Sequence, residues 1–229
     1  MGVDPRFVNH RERVRKRFLR EGLEHFEQHN QLELLLFYAI PQRDTNGIAH
    51  DLIQRFGSIS RVMDASVEEL MTVDGIGERA AVLLKLVPAL ARSYTLDHLG
   101  KVRTFQSGEE LKEYLLALYT GCTKERVYLL LFDNRDTLLR TVQIGEGDLT
   151  AALFSTRDIV QQVLLYNKTT KVILSHNHPV GLALPSHADQ TATDEIQRAL
   201  SSVEVTLYDH IIVSGNRECY SLRERRIFP

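Results

Sequence analysis

The stretch Lys171-Val172-Ile173-Leu174-Ser175-His176-Asn177-His178-Pro179-Val180-Gly181-Leu182-Ala183-Leu184-Pro185-Ser186-His187-Ala188-Asp189 decides how the second half of this chain is read. It opens on an apolar run with the character of a strand, so the two histidines sit where a strand ends. Residues two apart on a strand point to the same side, and His176 and His178 therefore present their imidazoles to one space. Pro179, Gly181 and Pro185 reverse the chain. Ser186 suits the N-cap of a following helix, which puts Asp189 in its first turn, where the helix dipole favours a carboxylate.

Outward from this stretch, elements alternate. A helical pattern near 109–119 precedes two strand-like runs, 126–134 and 137–145, with the turn-forming Asn134-Arg135-Asp136 between them. A helix at 156–166, the strand into His178, a helix at 187–201 and strands within 205–215 and 218–222 complete the series. Such alternation indicates an α/β or α+β domain. The first part reads differently: residues 32–40 and 49–56 carry apolar residues at helical spacing, and strands are hard to find. The pattern lapses around 93–103, so two domains are expected, an all-helical one over 1–98 and an α/β one over 99–229.

Composition bounds the function class. With 229 residues, 43% of them hydrophobic and 25% charged, the chain has ordinary globular character. A net charge of −2 gives no bulk attraction for nucleic acid or anionic membrane, so such binding would need a local patch. The two cysteines, Cys122 and Cys219, stand far apart in no ligand spacing, which excludes a disulfide framework and suits a reducing cytoplasm. The first residues lack the apolar core of a signal peptide, and no run approaches membrane-spanning length. A cytoplasmic protein with no membrane partner is the expectation.

Two imidazoles and a carboxylate form a known ligand set for catalytic zinc, with water in the fourth position. No cysteine is placed to close the set as a structural site. Zinc lowers the pKa of bound water to roughly 7, which supplies a nucleophile at neutral pH. Ser186 could hydrogen-bond an oxygen that becomes negative in the transition state. The competing reading is two ordinary histidines with no common ligand, but strand spacing, a tight turn and an aspartate in the next helix together favour the metal. His187 points elsewhere if Ser186 caps the helix. The letters His-Asn-His match the name of a nuclease motif, a coincidence unless the fold agrees.

His-x-His, seven residues, then Ser-x-x-Asp resembles the motif of the JAMM (MPN+) metalloproteases. Placed after a helical N-terminal segment, it resembles the bacterial RadC proteins in particular, over nearly the whole chain. That resemblance implies a JAMM/MPN-type, cytidine-deaminase-like fold, a curved mixed sheet flanked by helices, with zinc held by His176, His178 and Asp189. It also implies an upstream glutamate, at the start of a strand, acting as general base. Glu125, which heads the run 126–134, occupies that place, and Glu146, at the end of a strand in Gly-Glu-Gly, is its competitor. The loop Val180-Gly181-Leu182-Ala183-Leu184 departs from the polar sequence common in that family, so no substrate preference carries over.

The first half contains a second motif. Leu70 to Leu84 fits a helix–hairpin–helix, with Gly75 and Gly77 flanking Ile76 and Ala81 four positions on. The glycines permit a tight turn whose N–H groups can meet a phosphate, and Arg79 and Lys85 would add charge. Residues 1–98 hold 13 basic and 14 acidic side chains, however, and Asp74 and Glu78 flank the turn. DNA contact and a packing role both stay open. The basic run Arg11 to Arg20 reads as a solvated helix face. Asp209 and His210, neighbours on a strand, point to opposite faces and read as structural. Three functions are in view: a zinc hydrolase of amide or isopeptide bonds linked to DNA repair or processing, a metal-dependent nuclease, or a DNA-associated binding module. The substrate at the site would be protein or nucleic acid.

Overall fold

In the computed structural model, residues 5–99, 104–147 and 156–225 are described. The chain divides into two units, Met1–Ala91 and Arg92–Pro229, with the division inside one long helix.

The regular elements of the first unit, among its described residues, are all helices: α1 (Pro5–Glu21), α2 (Gln28–Leu36), α3 (Asn46–Phe56), α4 (Ile59–Asp64), α5 (Val67–Leu70) and the start of α6 (Glu78–His98). Leu32, Leu36, Leu52, Val62, Leu70 and Leu84 are fully buried in its core. One member of the basic run departs from the solvated reading. Arg11 is buried, and its guanidinium donates to the backbone carbonyls of Phe37, Ile40 and Arg43. A guanidinium brings five donors, enough to satisfy carbonyls left open where α2 ends.

In the second unit, α7 (Gly108–Leu118) is followed by β1 (Arg126–Phe132), β2 (Leu138–Glu146), α8 (Thr156–Leu165), β3 (Lys171–His178), α9 (His187–Ser201), β4 (Thr206–Ser214) and β5 (Cys219–Ser221). The sheet is mixed, in the order β2-β1-β3-β4-β5; β3 and β4 are parallel and the other neighbours antiparallel. Alternate side chains of each strand enter opposite cores, as the pleat requires. Val127, Leu129, Leu131, Val172 and Leu174 pack with Ile159 of α8 and Ile196 and Leu200 of α9. Tyr128, Leu130, Phe132 and Ile173 pack with Leu115 and Leu118 of α7. Even-numbered residues of β3 thus face α9. That parity aims His176 toward the helix carrying Asp189.

The β3–β4 pairing contains one irregularity. Val172 pairs with Leu207 but Ile173 pairs with Asp209, so Tyr208 is an extra, unpaired residue in β4. A one-residue bulge shifts every later side chain to the other face. Leu207 lies in the core shared with α9, and beyond the bulge it is His210 and Ile212, not Asp209, that return to that side.

Candidate metal centre

The carboxyl end of β3 and the first turn of α9 bring His176, His178 and Asp189 together, their candidate ligand atoms all within 4.8 Å of one another. His176 Nε2 lies 3.0 Å from His178 Nε2 and 3.4 Å from Asp189 Oδ1, and His178 Nε2 lies 3.9 Å from Asp189 Oδ2. Two nitrogens on a tetrahedral zinc, each at 2.0–2.1 Å, would stand roughly 3.3 Å apart. The donor set therefore fits such an ion in kind and in spacing. His178 Nδ1 donates to the carbonyl of Leu182 at 3.0 Å, which leaves its Nε2 as a bare lone pair. This is the outer support that metal-binding histidines commonly have.

Ser186 caps α9. Its hydroxyl accepts from the Asp189 N–H at 3.1 Å, and both its own N–H, at 2.7 Å, and its Oγ, at 2.6 Å, donate to Asp189 Oδ2. Oδ2 is thereby occupied, and Oδ1 is turned toward His176. The hydroxyl proton of Ser186 rests on Asp189, so stabilising an oxyanion would require rotation away from that carboxylate.

His176 is 1% exposed and Asp189 5%. Burial pushes the His176 imidazole down to about 4, against the opposing pull of the Asp189 carboxylate. At neutral pH it is an uncharged electron-pair donor. Burial lowers His210 strongly as well.

The two candidate glutamates sit in different surroundings. Val127 of β1 stands opposite His176, on the ligand face, and Glu125 immediately precedes β1. Arg126 and Glu146 are paired on the opposite face, where Arg126 Nε donates to Glu146 Oε2 at 3.0 Å. The Arg126 charge holds the Glu146 carboxyl below its ordinary range. Asn177, between the two histidines and buried, fixes the segment around Glu125. It accepts from the Arg126 N–H at 2.7 Å and donates to the Lys124 carbonyl at 3.2 Å.

The sequence reads Asp209 and His210 as structural neighbours on opposite faces, and the two do face opposite ways. Asp209 does face away, accepting from Ser221 Oγ at 2.6 Å and from the Arg223 N–H at 3.1 Å. His210 instead stands directly behind His176, with His210 Nε2 2.7 Å from His176 Nδ1. Thr193 of α9 lies 2.7 Å from the other ring nitrogen of His210. Sequence spacing offers one signal for Thr193, four residues after Asp189 on the same helix face. It offers none for His210, whose placement depends on the β3–β4 pairing and the Tyr208 bulge.

The glycine motif of the first unit is built differently. Gly75 adopts φ +85°, a conformation that favours glycine, and a Cβ there would lie 2.6 Å from Ile48 Cδ1, so backbone and packing both account for it. Gly77 has open space around its Cα and is exposed, as is Arg79. Lys85, read as an added charge beside the turn, donates from Nζ to the carbonyls of Met63, at 2.7 Å, and Asp64, at 3.1 Å, at the end of α4.

Residues 105–227 match the family described as the RadC-like JAB domain, and residues 6–82 match the UPF0758 N-terminal family. A UPF0758 protein of Idiomarina loihiensis is 32% identical over 214 residues, covering 93% of this chain and 95% of that protein. A UPF0758 protein of Fusobacterium nucleatum is 32% identical over 215 residues, covering 90% of this chain and 92% of its own. No described helix is long and apolar enough to cross a membrane.

Proposed function

Because the chain belongs to the RadC-like JAB domain family, a JAMM-type domain, we propose that it is a zinc-dependent hydrolase of amide or isopeptide bonds. One observation carries the reading: three electron-pair donors, His176 Nε2, His178 Nε2 and Asp189 Oδ1, converge at a spacing that suits one divalent cation. When bound there, zinc would supply Lewis acidity, easing deprotonation of water and polarising a carbonyl.

The chain's own residues account for the remaining steps. Glu125, immediately ahead of β1, takes the proton of the attacking water and returns it to the leaving amine. Ser186, its hydroxyl released from Asp189, steadies the developing oxyanion. Asn177 positions Glu125 through the Lys124 and Arg126 backbone. The loop between the ligands bears exposed Val180, Leu182 and Leu184 and no lysine or arginine. Such a rim suits a polypeptide better than a phosphate backbone, which is gripped chiefly by cationic side chains. This ranks amide cleavage above DNA cleavage. A role of the helical unit in presenting the site to DNA-bound protein is a further part of the proposal, resting on the exposed Gly77 and Arg79 alone.

Metal analysis and turnover together test it. The wild type should bind one zinc per chain and cleave an isopeptide-linked substrate. Glu125→Gln should keep the zinc and lose about 10²–10⁴-fold in turnover, the usual contribution of a positioned general base. His178→Ala should lose the metal. Cleavage of labelled DNA with the isopeptide substrate untouched would sink the amide reading in favour of a nuclease. Binding without any turnover dependence on Glu125 would leave only a binding module.

A further inference from the structure

Behind the convergent donors runs a file of buried polar groups that begins at a backbone carbonyl and ends at a ligand. The Thr193 hydroxyl lies 2.6 Å from the Asp189 carbonyl oxygen and 2.7 Å from His210 Nδ1. His210 Nε2 lies 2.7 Å from His176 Nδ1. Thr193, His210 and His176 are each no more than 2% exposed, so water does not offer them alternative partners.

The direction of the protons is set by the first member. A carbonyl oxygen only accepts, so the single Thr193 hydroxyl proton points to Asp189 O. The Thr193 oxygen must then accept from His210, which puts a proton on His210 Nδ1. A neutral imidazole carries one such proton, so His210 Nε2 is bare and accepts from His176 Nδ1–H. The only nitrogen of His176 left without a proton is Nε2, the one that faces His178 and Asp189. Reversing every bond would leave the Thr193 and Asp189 oxygens facing each other at 2.6 Å with no proton between them. Burial makes that arrangement costly.

We propose that His210, held by Thr193, is a positioning residue that fixes the tautomer of His176 so that its Nε2 lone pair is aimed at the metal position. This rests on the metal reading above and adds to it a group outside the ligand set. Asp189 stands at both ends of the file, as a ligand through its side chain and as the proton acceptor through its main chain. The first turn of α9 therefore sets the distance and the protonation of the site together. His178 reaches the same Nδ1-protonated state through the Leu182 carbonyl, so the two imidazoles are prepared by independent supports.

The experiment joins zinc affinity to ring-nitrogen spectroscopy. In chelator competition, His210→Leu should weaken zinc binding by about 10–100-fold, the usual effect of removing a support of this kind. His210→Gln can accept from His176 and donate to Thr193, and should restore most of that loss. In the metal-free wild type, ¹⁵N spectra of the imidazoles, assigned from signals lost in His176→Gln and His210→Gln, should show both rings protonated at Nδ1. That is the minor tautomer of a free histidine side chain, and the rescue of zinc affinity by His210→Gln separates positioning of His176 from a merely structural role. An Nε2–H pattern at His210, or a folded His210→Leu that binds zinc as tightly as wild type, would overturn the proposal. The spectra of the unaltered protein decide the matter even if His210→Leu fails to fold. If the wild type took up no zinc, the metal reading itself would fall, and the ring-nitrogen pattern would still tell whether His210 governs the His176 tautomer.

Discussion

The loop from His176 to Asp189 and the turn from Asp74 to Ala80 both stand out as motifs, and they close on different terms. In the first, donor atoms face one another, and every hydrogen bond around them holds them in that attitude: Leu182 on His178, Ser186 on Asp189, His210 on His176. In the second, two of the distinctive residues are answered from within the unit. Gly75 yields space to Ile48, and Lys85 serves the carbonyls at the end of α4. Buried polar groups in native proteins are ordinarily matched donor to acceptor. Acceptors assembled against acceptors imply a cation to be held, whereas a motif whose special residues are explained by packing implies architecture first.

That contrast can be broken by substitution. The largest effect is expected at Gly75→Ala, where a positive φ and a 2.6 Å approach to Ile48 coincide; it should destabilise the first unit by about 2–4 kcal/mol. Thermal melts would show the loss. Zinc stoichiometry should stay at the wild-type value, and a fall in zinc binding would erase the distinction between the two regions. Asn177→Ala should cost about 1–3 kcal/mol, because the Arg126 N–H and Lys124 carbonyl lose their partner. Its sharper signature is kinetic: turnover should drop while zinc affinity holds, since the change displaces Glu125 and spares the ligands. Equal loss of both would mean that Asn177 supports the histidines instead. Lys85→Met should be the mildest, about 1 kcal/mol by denaturant melt, from the end of α4. If it also abolished an observed affinity for DNA, the hairpin would have more than an architectural role.

Much of the candidate centre is legible in the sequence. Strand periodicity sets His176 and His178 side by side, proline and glycine force the reversal, and a Ser-x-x-Asp helix start returns a carboxylate. These are local relations, spanning a turn or two of chain, and local sterics govern them. Glu125 is separated from Glu146 in the sequence by family resemblance and by the Gly-Glu-Gly setting of Glu146; the structure adds that Glu146 is paired with Arg126. Arg11 reads wrongly as part of a solvated face because no pattern in α1 announces the carbonyls at the end of α2.

The amino-acid order by itself determined the alternation of helices and strands in the second half, the helical character of the first, and the three donors around one turn. Only the tertiary structure decided that His210 joins them. In an uninterrupted strand, the alternation that puts Leu207 in the core beside α9 would have carried Asp209 there too. The bulge at Tyr208 inverts that parity, and the parallel pairing of β3 with β4 sets His210 against His176. Strand pairing and bulges arise from contacts between segments far apart in the chain, so no local window of residues reveals them.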